Sequence, residues 1–140
     1  MKFVEPIKEI EQINKIKQYL KQKSARDYLF FVLGINTGLR VNEMLKMKIS
    51  DVMNDNGEIK EMFVLTDEQK EKVKLFYLNE KVKEALRLYF SQIHINLRNE
   101  HLFKSKKDPF QSISRQQAYR IVNSAARQIG LVENIGTHTL

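Results

Sequence analysis

The sequence contains no cysteine, which excludes disulfide bonds, thiolate nucleophiles and cysteine-bound zinc. Histidine is scarce as well: the only three are His94, His101 and His138, and they share no metal-ligand spacing. The longest apolar run, from Tyr28 to Ile35, is too short to cross a bilayer. The N-terminus is charged within five residues and does not read as a secretory signal. We therefore expect a cytoplasmic protein without a membrane span.

Positive charge is in surplus. Lysine and arginine number 24 while aspartate and glutamate number 17, so the chain carries a formal charge of +7. Such a surplus favours binding to phosphates, which makes nucleic acid the first partner to consider. Ribosome-associated proteins and merely soluble proteins can carry the same charge, so composition alone does not identify the partner. A length of 140 residues suits one compact domain with a sizeable hydrophobic core.

The first part of the chain has the pattern of three helices. Apolar residues recur every three or four positions from Ile7 to Leu20, which predicts an amphipathic helix. Ser24 has the character of an N-cap and Gly38 that of a helix end, so a second, mostly buried helix is predicted from Ala25 to Thr37. A third helix is predicted from Leu39 to about Met47.

The second part begins with a predicted β-hairpin. Its strands are the β-rich runs from Glu61 to Thr66 and from Val73 to Leu78, joined by a charged turn. Asn79 is expected to cap a helix that runs from Glu80 to about Ile95, and a last helix is expected from Ser114 to Gly130. The sequence therefore predicts a mainly α fold with a small antiparallel β-sheet.

The strongest local feature is the segment Thr37–Glu43, which reads TGLRVNE. Gly38 permits the left-handed backbone that ends a helix tightly, and Arg40 then falls in the first turn of the next helix. A cation there is disfavoured by the helix dipole by up to ~1 kcal/mol, whereas an anion held between Arg40 and the free N–H groups would favour it. Glu43 could orient the guanidinium. The alternative is a local Arg40–Glu43 pair on a solvated surface.

This segment resembles the first arginine box of the tyrosine recombinases, the phage integrase family, which typically reads T-G-x-R-x-x-E-x-x-x-L-x-x-x-D. The resemblance continues through the hairpin and the Leu102-Phe103 pair. It reaches Gly136–Leu140, which is similar to the start of the family's H-x-L-R segment. The residues that match the box are Thr37, Gly38, Arg40, Glu43, Met47 and Asp51, with methionine in place of the usual leucine.

The resemblance implies phosphoryl transfer on double-stranded DNA. In this family a tyrosine attacks the scissile phosphate and forms a 3′-phosphotyrosine link, which a 5′-hydroxyl later reverses without metal or cofactor. Arg40 would be one of two guanidinium clamps on the phosphate, and His138 would donate a hydrogen bond to it. By family position the second arginine and the nucleophile lie beyond Leu140. We therefore expect residues 1–140 to form a partial catalytic domain that is inactive by itself.

The family also uses a hairpin lysine as general acid for the leaving 5′-oxygen. Lys70 is the best match for it, at the turn before the second strand, and Lys72 is the runner-up. The turn lacks the glycine that family members often carry. The alternative is that both are ordinary solvated turn lysines.

A group of polar residues near the last helix is suited to contacting DNA. Arginine, lysine and glutamine side chains reach phosphates and base edges, although each residue alone fits a soluble face equally well. The candidates are Lys104, Lys106, Lys107, Arg115, Gln116 and Arg120.

The resemblance further implies that the parent protein is a site-specific recombinase, expected to come from a mobile element or prophage and to assemble as a tetramer on DNA. None of the five tyrosines holds the nucleophile position. Two other interpretations stay open. One is a non-catalytic helical DNA-binding or regulatory module in which Arg40 is structural, and the other is an RNA-associated basic domain.

Overall fold

The helical and strand patterns of the sequence appear as five α-helices and one β-hairpin in the computed structural model, which describes residues 10–67, 69–95, 99–108 and 110–130. The mainly α fold with a small antiparallel sheet is therefore confirmed. The elements are α1 (Ile10–Lys23), α2 (Ala25–Thr37), α3 (Val41–Leu45), a 3₁₀ turn (Ile49–Asp51), β1 (Met62–Asp67), β2 (Lys72–Tyr77), α4 (Glu80–Gln92) and α5 (Arg115–Gln128).

Helix α2 forms the centre of the core. Every residue from Ala25 to Gly34 is buried, as expected for a helix that is hydrophobic nearly all round. It packs against α1 on one side and α4 on another. The rings of Phe30 and Phe103 meet nearly at right angles, with centroids 5.4 Å apart. Leu102 and Phe103 are fully buried, so this pair anchors the irregular segment before α5 to the central helix.

The predicted helix caps are confirmed. The side-chain oxygens of Ser24, Asn79 and Ser114 each accept a hydrogen bond from the backbone N–H three residues later, at 3.0–3.2 Å. Gly38 ends α2 in the left-handed conformation with φ +76°, and its N–H donates to the carbonyl of Gly34 at 3.0 Å. The boundaries of α2 are those that the sequence predicts.

Helices α1, α3 and α4 differ from the prediction at one or both ends. Helix α1 runs to Lys23 rather than ending at Leu20, and its predicted start at Ile7 lies outside the described residues, which begin at Ile10. Helix α3 is only five residues long because Arg40 is extended (φ −77°, ψ 154°) and the helix begins after it, at Val41. Helix α4 ends at Gln92, three residues early, because Ile93 turns to an extended conformation and packs against the core.

The hairpin is confirmed, with β1 and β2 antiparallel and Val64 opposite Leu75. On the inner face the rings of Phe63 and Phe76 stack at 6.1 Å, and Phe63 is buried. Phe63 belongs to the hydrophobic core and Phe76 packs against it, so these two rings attach the hairpin to the helices.

Candidate active site and nucleic-acid interface

The bend before Arg40 is held by the side chain of Thr37. Its hydroxyl donates to the carbonyl of Leu33 at 2.6 Å and accepts from the N–H of Leu39 at 3.2 Å. Together with the left-handed Gly38, these two bonds turn the chain from α2 into α3. Leu39 is fully buried directly before Arg40, so the arginine is anchored on its N-terminal side.

Glu43 acts on the backbone of Arg40. Its Oε1 accepts a hydrogen bond from the Arg40 N–H at 2.8 Å, so it satisfies one of the donors that the start of a helix leaves without a helical partner. The sequence suggested instead that Glu43 orients the guanidinium. The structure shows Glu43 bound to the main chain of Arg40, and its effect on the guanidinium stays a prediction.

Asp51, the last residue of the motif, also binds backbone. Its Oδ2 accepts from the N–H of Lys48 at 2.7 Å, which shapes the turn after α3, and Met47 fills the core position usually held by leucine. The side chain of Arg40 is exposed, and no carboxylate in the described part of the chain forms an ion pair with its guanidinium. An exposed guanidinium at a helix start is suited to binding an anion.

The hairpin and α3 form a cleft of about 430 Å³, here called the hairpin cleft. It brings the predicted lysines Lys70 and Lys72 to the same place as Glu43, although 27 residues separate Glu43 from Lys70 in the sequence. Four lysines and two carboxylates line it, so the cleft is positively charged. The lining residues are Glu43, Lys46, Leu65, Thr66, Asp67, Gln69, Lys70, Lys72 and Lys74.

Lys46 belongs to this cleft and was missed by the sequence interpretation. The available signal was its spacing, because Lys46 lies three residues after Glu43 and residues at that spacing share a helix side.

Lys70 lies in the hairpin turn. It is exposed, and its N–H donates to Oδ1 of Asp67 at 3.3 Å. Glu71 adopts the left-handed conformation with φ +50°, which supplies the backbone shape that a glycine usually gives to such a turn. Lys70 and Lys72 are both exposed and both line the cleft, so the choice between them stays a prediction. The predicted His138 lies outside the described residues.

Three of the predicted DNA contacts come together in a second cleft, of about 600 Å³, here called the α5 cleft. Lys106, Lys107 and Arg120 line it, and all three side chains are exposed. The full lining is Leu20, Lys23, Arg26, Asp27, Ser105, Lys106, Lys107, Ser114, Gln117, Arg120, Ile121 and Ser124.

The other three predicted contacts lie elsewhere. Lys104 is largely buried, and its Nζ binds the carboxylate of Glu100 at 2.8 Å, so its charge is already paired. Arg115 lies on α5 outside the cleft lining, and its Nε donates to the hydroxyl of Tyr119 at 2.8 Å. Gln116 is exposed beside it. The structure therefore places three of the six in the α5 cleft and two at the start of α5, and Lys104 belongs to neither group.

Tyr28 and Tyr89 are both buried. The hydroxyl of Tyr89 donates to the carbonyl of Leu102 at 2.7 Å, and burial raises the pKa of this phenol. A phenol whose proton is bound and whose pKa is raised is a poor nucleophile. Tyr89 therefore has a structural role.

In the part of the chain that the structure describes, no three histidine or carboxylate side chains are grouped in a way that could hold a metal ion. Among the same residues, no helix has the length and apolar character that crossing a membrane requires.

Comparison with known proteins points to one family for the chain. A family model described as the phage integrase family matches residues 6–140. The chain is 39% identical over 141 residues to the probable integrase/recombinase YoeC of Bacillus subtilis (strain 168), covering 100% of the chain and 72% of that protein.

More distant relatives are the tyrosine recombinases XerD of Listeria innocua, with 27% identity, and XerC of Thermodesulfovibrio yellowstonii, with 31%. Each similarity covers 82% of the chain and 38% of the relative. A crystal structure of XerA recombinase shares the fold, with a TM-score of 0.75 and 17% identity over 98% of this chain and 45% of that one. The chain thus spans less than half the length of these Xer proteins.

Proposed function

The chain belongs to the phage integrase family of tyrosine-type site-specific recombinases, and from this premise we propose that it is part of the catalytic domain of a longer protein that cuts and rejoins duplex DNA. One observation carries the proposal. The side chains of Thr37, Glu43 and Asp51 bind backbone and shape the motif, while the guanidinium of Arg40 is left exposed on the same motif as Glu43, which lines the lysine-rich hairpin cleft.

In the proposed reaction, the oxygen of a tyrosine outside these 140 residues attacks the scissile phosphorus. The new phosphorus–oxygen bond forms as the bond to the 5′-oxygen breaks, and the phosphotyrosine conserves the energy of the broken bond. Arg40 stabilises the negative charge on the non-bridging oxygens, where a planar guanidinium matches the geometry. His138 donates a hydrogen bond to the same phosphate.

Lys70 is proposed as the general acid that protonates the leaving 5′-oxygen. Its position on an exposed turn, at the edge of the hairpin cleft, allows it to reach a backbone that docks against α3. Lys72 lines the same cleft and is the alternative.

The DNA duplex is proposed to lie across the clefts, with Lys106, Lys107 and Arg120 on its phosphates and Arg115 and Gln116 at the start of α5. Lys104 supports this surface through its bond to Glu100. Assembly as a tetramer on DNA, a cytoplasmic location and an origin in a mobile element are parts of the same proposal.

The test is a covalent adduct formed by the full-length protein that carries this chain. A nicked DNA substrate loses the short cleaved fragment and traps the phosphotyrosine. We expect a DNA band that is retarded on a denaturing gel and released by protease. DNA binding without any adduct would contradict the proposal and favour the non-catalytic module.

A further inference from the structure

The last turn of α2 and the cap of α4 are joined by a hydrogen bond between two asparagine side chains. Nδ2 of Asn79 donates to Oδ1 of Asn36 at 2.9 Å. Each amide is also bound to its own helix. Nδ2 of Asn36 donates to the carbonyl of Val32 at 2.8 Å, and Oδ1 of Asn79 accepts from the N–H of Val82 at 3.0 Å. Because a carbonyl requires a donor and an N–H requires an acceptor, these backbone partners settle which end of each amide faces the other.

This bond connects the arginine motif to the end of the hairpin. Asn36 lies directly before Thr37, whose hydroxyl holds the bend that leads to Arg40. Asn79 lies two residues after Tyr77, the last residue of β2. The two asparagines are 43 residues apart in the sequence, so the fold brings together two segments that would both act on the scissile phosphate.

The base of the hairpin is fixed to the start of α4. The N–H of Leu78 donates to the carbonyl of Glu61, directly before β1, at 2.9 Å. Nζ of Lys83 on α4 donates to Oε2 of the same Glu61 at 2.6 Å. Leu78 itself is buried. The base of the hairpin and the first turn of α4 therefore move as one unit, and the contact that holds this unit against α2 also orients the hairpin.

Small rotations at this base are amplified at the hairpin turn. Each strand has six residues, so at about 3.4 Å per residue the turn lies about 20 Å from the base. A rotation of about 5° at the base then moves the turn by about 2 Å over that length. The rings of Phe63 and Phe76 attach the hairpin to the core, but apolar contact is not directional, whereas a hydrogen bond depends on direction.

We propose that Asn36 and Asn79 are positioning residues for DNA cleavage: their hydrogen bond sets the angle of the hairpin and so places the hairpin lysine beside the phosphate that Arg40 binds. This inference rests on the proposed function, since it assumes that a lysine of the hairpin turn protonates the leaving 5′-oxygen. Neither asparagine lines the hairpin cleft, so both act through other residues. A displacement of about 1 Å from the productive geometry can cost up to about 10²-fold in rate, so one exposed hydrogen bond is sufficient to affect cleavage.

The main variant is Asn79→Ser. Serine caps a helix as well as asparagine does, so α4 keeps its cap, but serine has no amide that donates to Asn36. Asn36→Ala breaks the same bond from the other side. Asn56→Ala is the matched control, because the side chain of Asn56 accepts a hydrogen bond from the N–H of Glu58 in an exposed turn outside the cleft. Single-turnover cleavage by the full-length protein is measured on ordinary DNA and on DNA with sulfur in place of the leaving 5′-oxygen.

We expect Asn79→Ser and Asn36→Ala each to cleave ordinary DNA about 10-fold more slowly than the wild type. Both should cleave the sulfur-substituted DNA at close to the wild-type rate, because a thiolate leaves without a proton. The double variant should be no slower than the slower single variant, since both substitutions remove one shared bond. The control should match the wild type on both substrates. Equal slowing on both substrates would point to a displaced Arg40 or a general loss of structure and would overturn the inference, as would wild-type rates for both single variants.

A distance measurement tests the same claim without cleavage. These 140 residues contain no cysteine, so spin labels can be attached to cysteines introduced at Gln69 in the hairpin turn and at Asn42 on α3, both of which are exposed. Any cysteine in the rest of the full-length protein is first replaced by serine. Asn79→Ser should shift or broaden the distribution of distances between the labels by about 2 Å, and Asn56→Ala should leave it unchanged. A wild-type protein that cleaves DNA, with a distribution that Asn79→Ser does not change, overturns this inference alone. A wild-type protein that forms no covalent adduct overturns the proposed function and this inference together.

Discussion

Oε1 of Glu43 lies 2.8 Å from the backbone nitrogen of Arg40 and accepts its hydrogen bond. The carboxylate of the motif therefore binds the main chain of the arginine. The consequence is a fixed Cα position with a guanidinium that points to solvent and keeps its charge available for an anion.

The first prediction concerns this bond. Glu43→Ala removes the acceptor, so it should lower the free energy of unfolding by about 1 kcal/mol and slow cleavage, while DNA affinity stays near the wild type. Glu43→Gln keeps an oxygen that can accept from the N–H of Arg40, so it should restore the cleavage rate. The measurements are urea unfolding and single-turnover cleavage. A Gln variant as slow as the Ala variant would show that the negative charge, not the backbone bond, is required.

The second prediction tests Lys70 as the general acid. A substrate with sulfur in place of the leaving 5′-oxygen needs no protonation, because a thiolate leaves readily. Lys70→Ala should cleave ordinary DNA slowly and the sulfur-substituted DNA at close to the wild-type rate. Lys72→Ala is the control and should behave alike on both substrates. If the sulfur-substituted DNA restored cleavage by Lys72→Ala but not by Lys70→Ala, the general acid would be Lys72.

The third prediction concerns the buried pair at the base of the α5 cleft. Asp27→Ala leaves the guanidinium of Arg26 buried without its partner, so it should lower the free energy of unfolding by about 3–5 kcal/mol. Replacing both residues, in Arg26→Met/Asp27→Leu, should cost clearly less because no buried charge remains. Urea unfolding measures both variants. If they lose the same free energy of unfolding, the unpaired buried charge is not the cause of the loss.

The fourth prediction is a pH dependence of stability from His101. Burial, followed by the nearby charge of Lys48, lowers the pKa of this imidazole, whose Nε2 lies 3.4 Å from the Lys48 Nζ. The unfolded chain therefore binds the proton more readily than the folded one. The free energy of unfolding should fall as the pH drops below about 6.5, the ordinary histidine value. His101→Gln should reduce that fall, measured by thermal unfolding from pH 7.5 to 5. An unchanged pH profile would contradict the assignment.

Much of the fold was predictable because local chemistry decides it. Ser24 and Gly38 bound α2 at the predicted residues, since capping and left-handed backbone depend on single side chains. Other features depend on contacts between distant segments. The approach of the hairpin turn to Glu43, the closure of the α5 cleft by Lys23, and the pairing of Lys104 with Glu100 in a non-helical segment could not be predicted from spacing.

The buried Arg26–Asp27 pair was predictable from the sequence only in part. Two adjacent opposite charges within an apolar run were visible in the sequence. Their burial depends on a carbonyl from Lys104, which lies 78 residues away, so only the fold reveals it.

The most direct test of the central claim, that Arg40 neutralises the charge of the scissile phosphate, uses a neutral phosphate. A methylphosphonate at the cleavage position lacks the charged non-bridging oxygen. Arg40→Ala should lose about 10²–10³-fold in single-turnover cleavage of ordinary DNA. It should recover on the methylphosphonate, while the wild type gains nothing from that substitution. An Arg40→Ala protein that is folded, binds DNA and is equally inactive on both substrates would contradict the account.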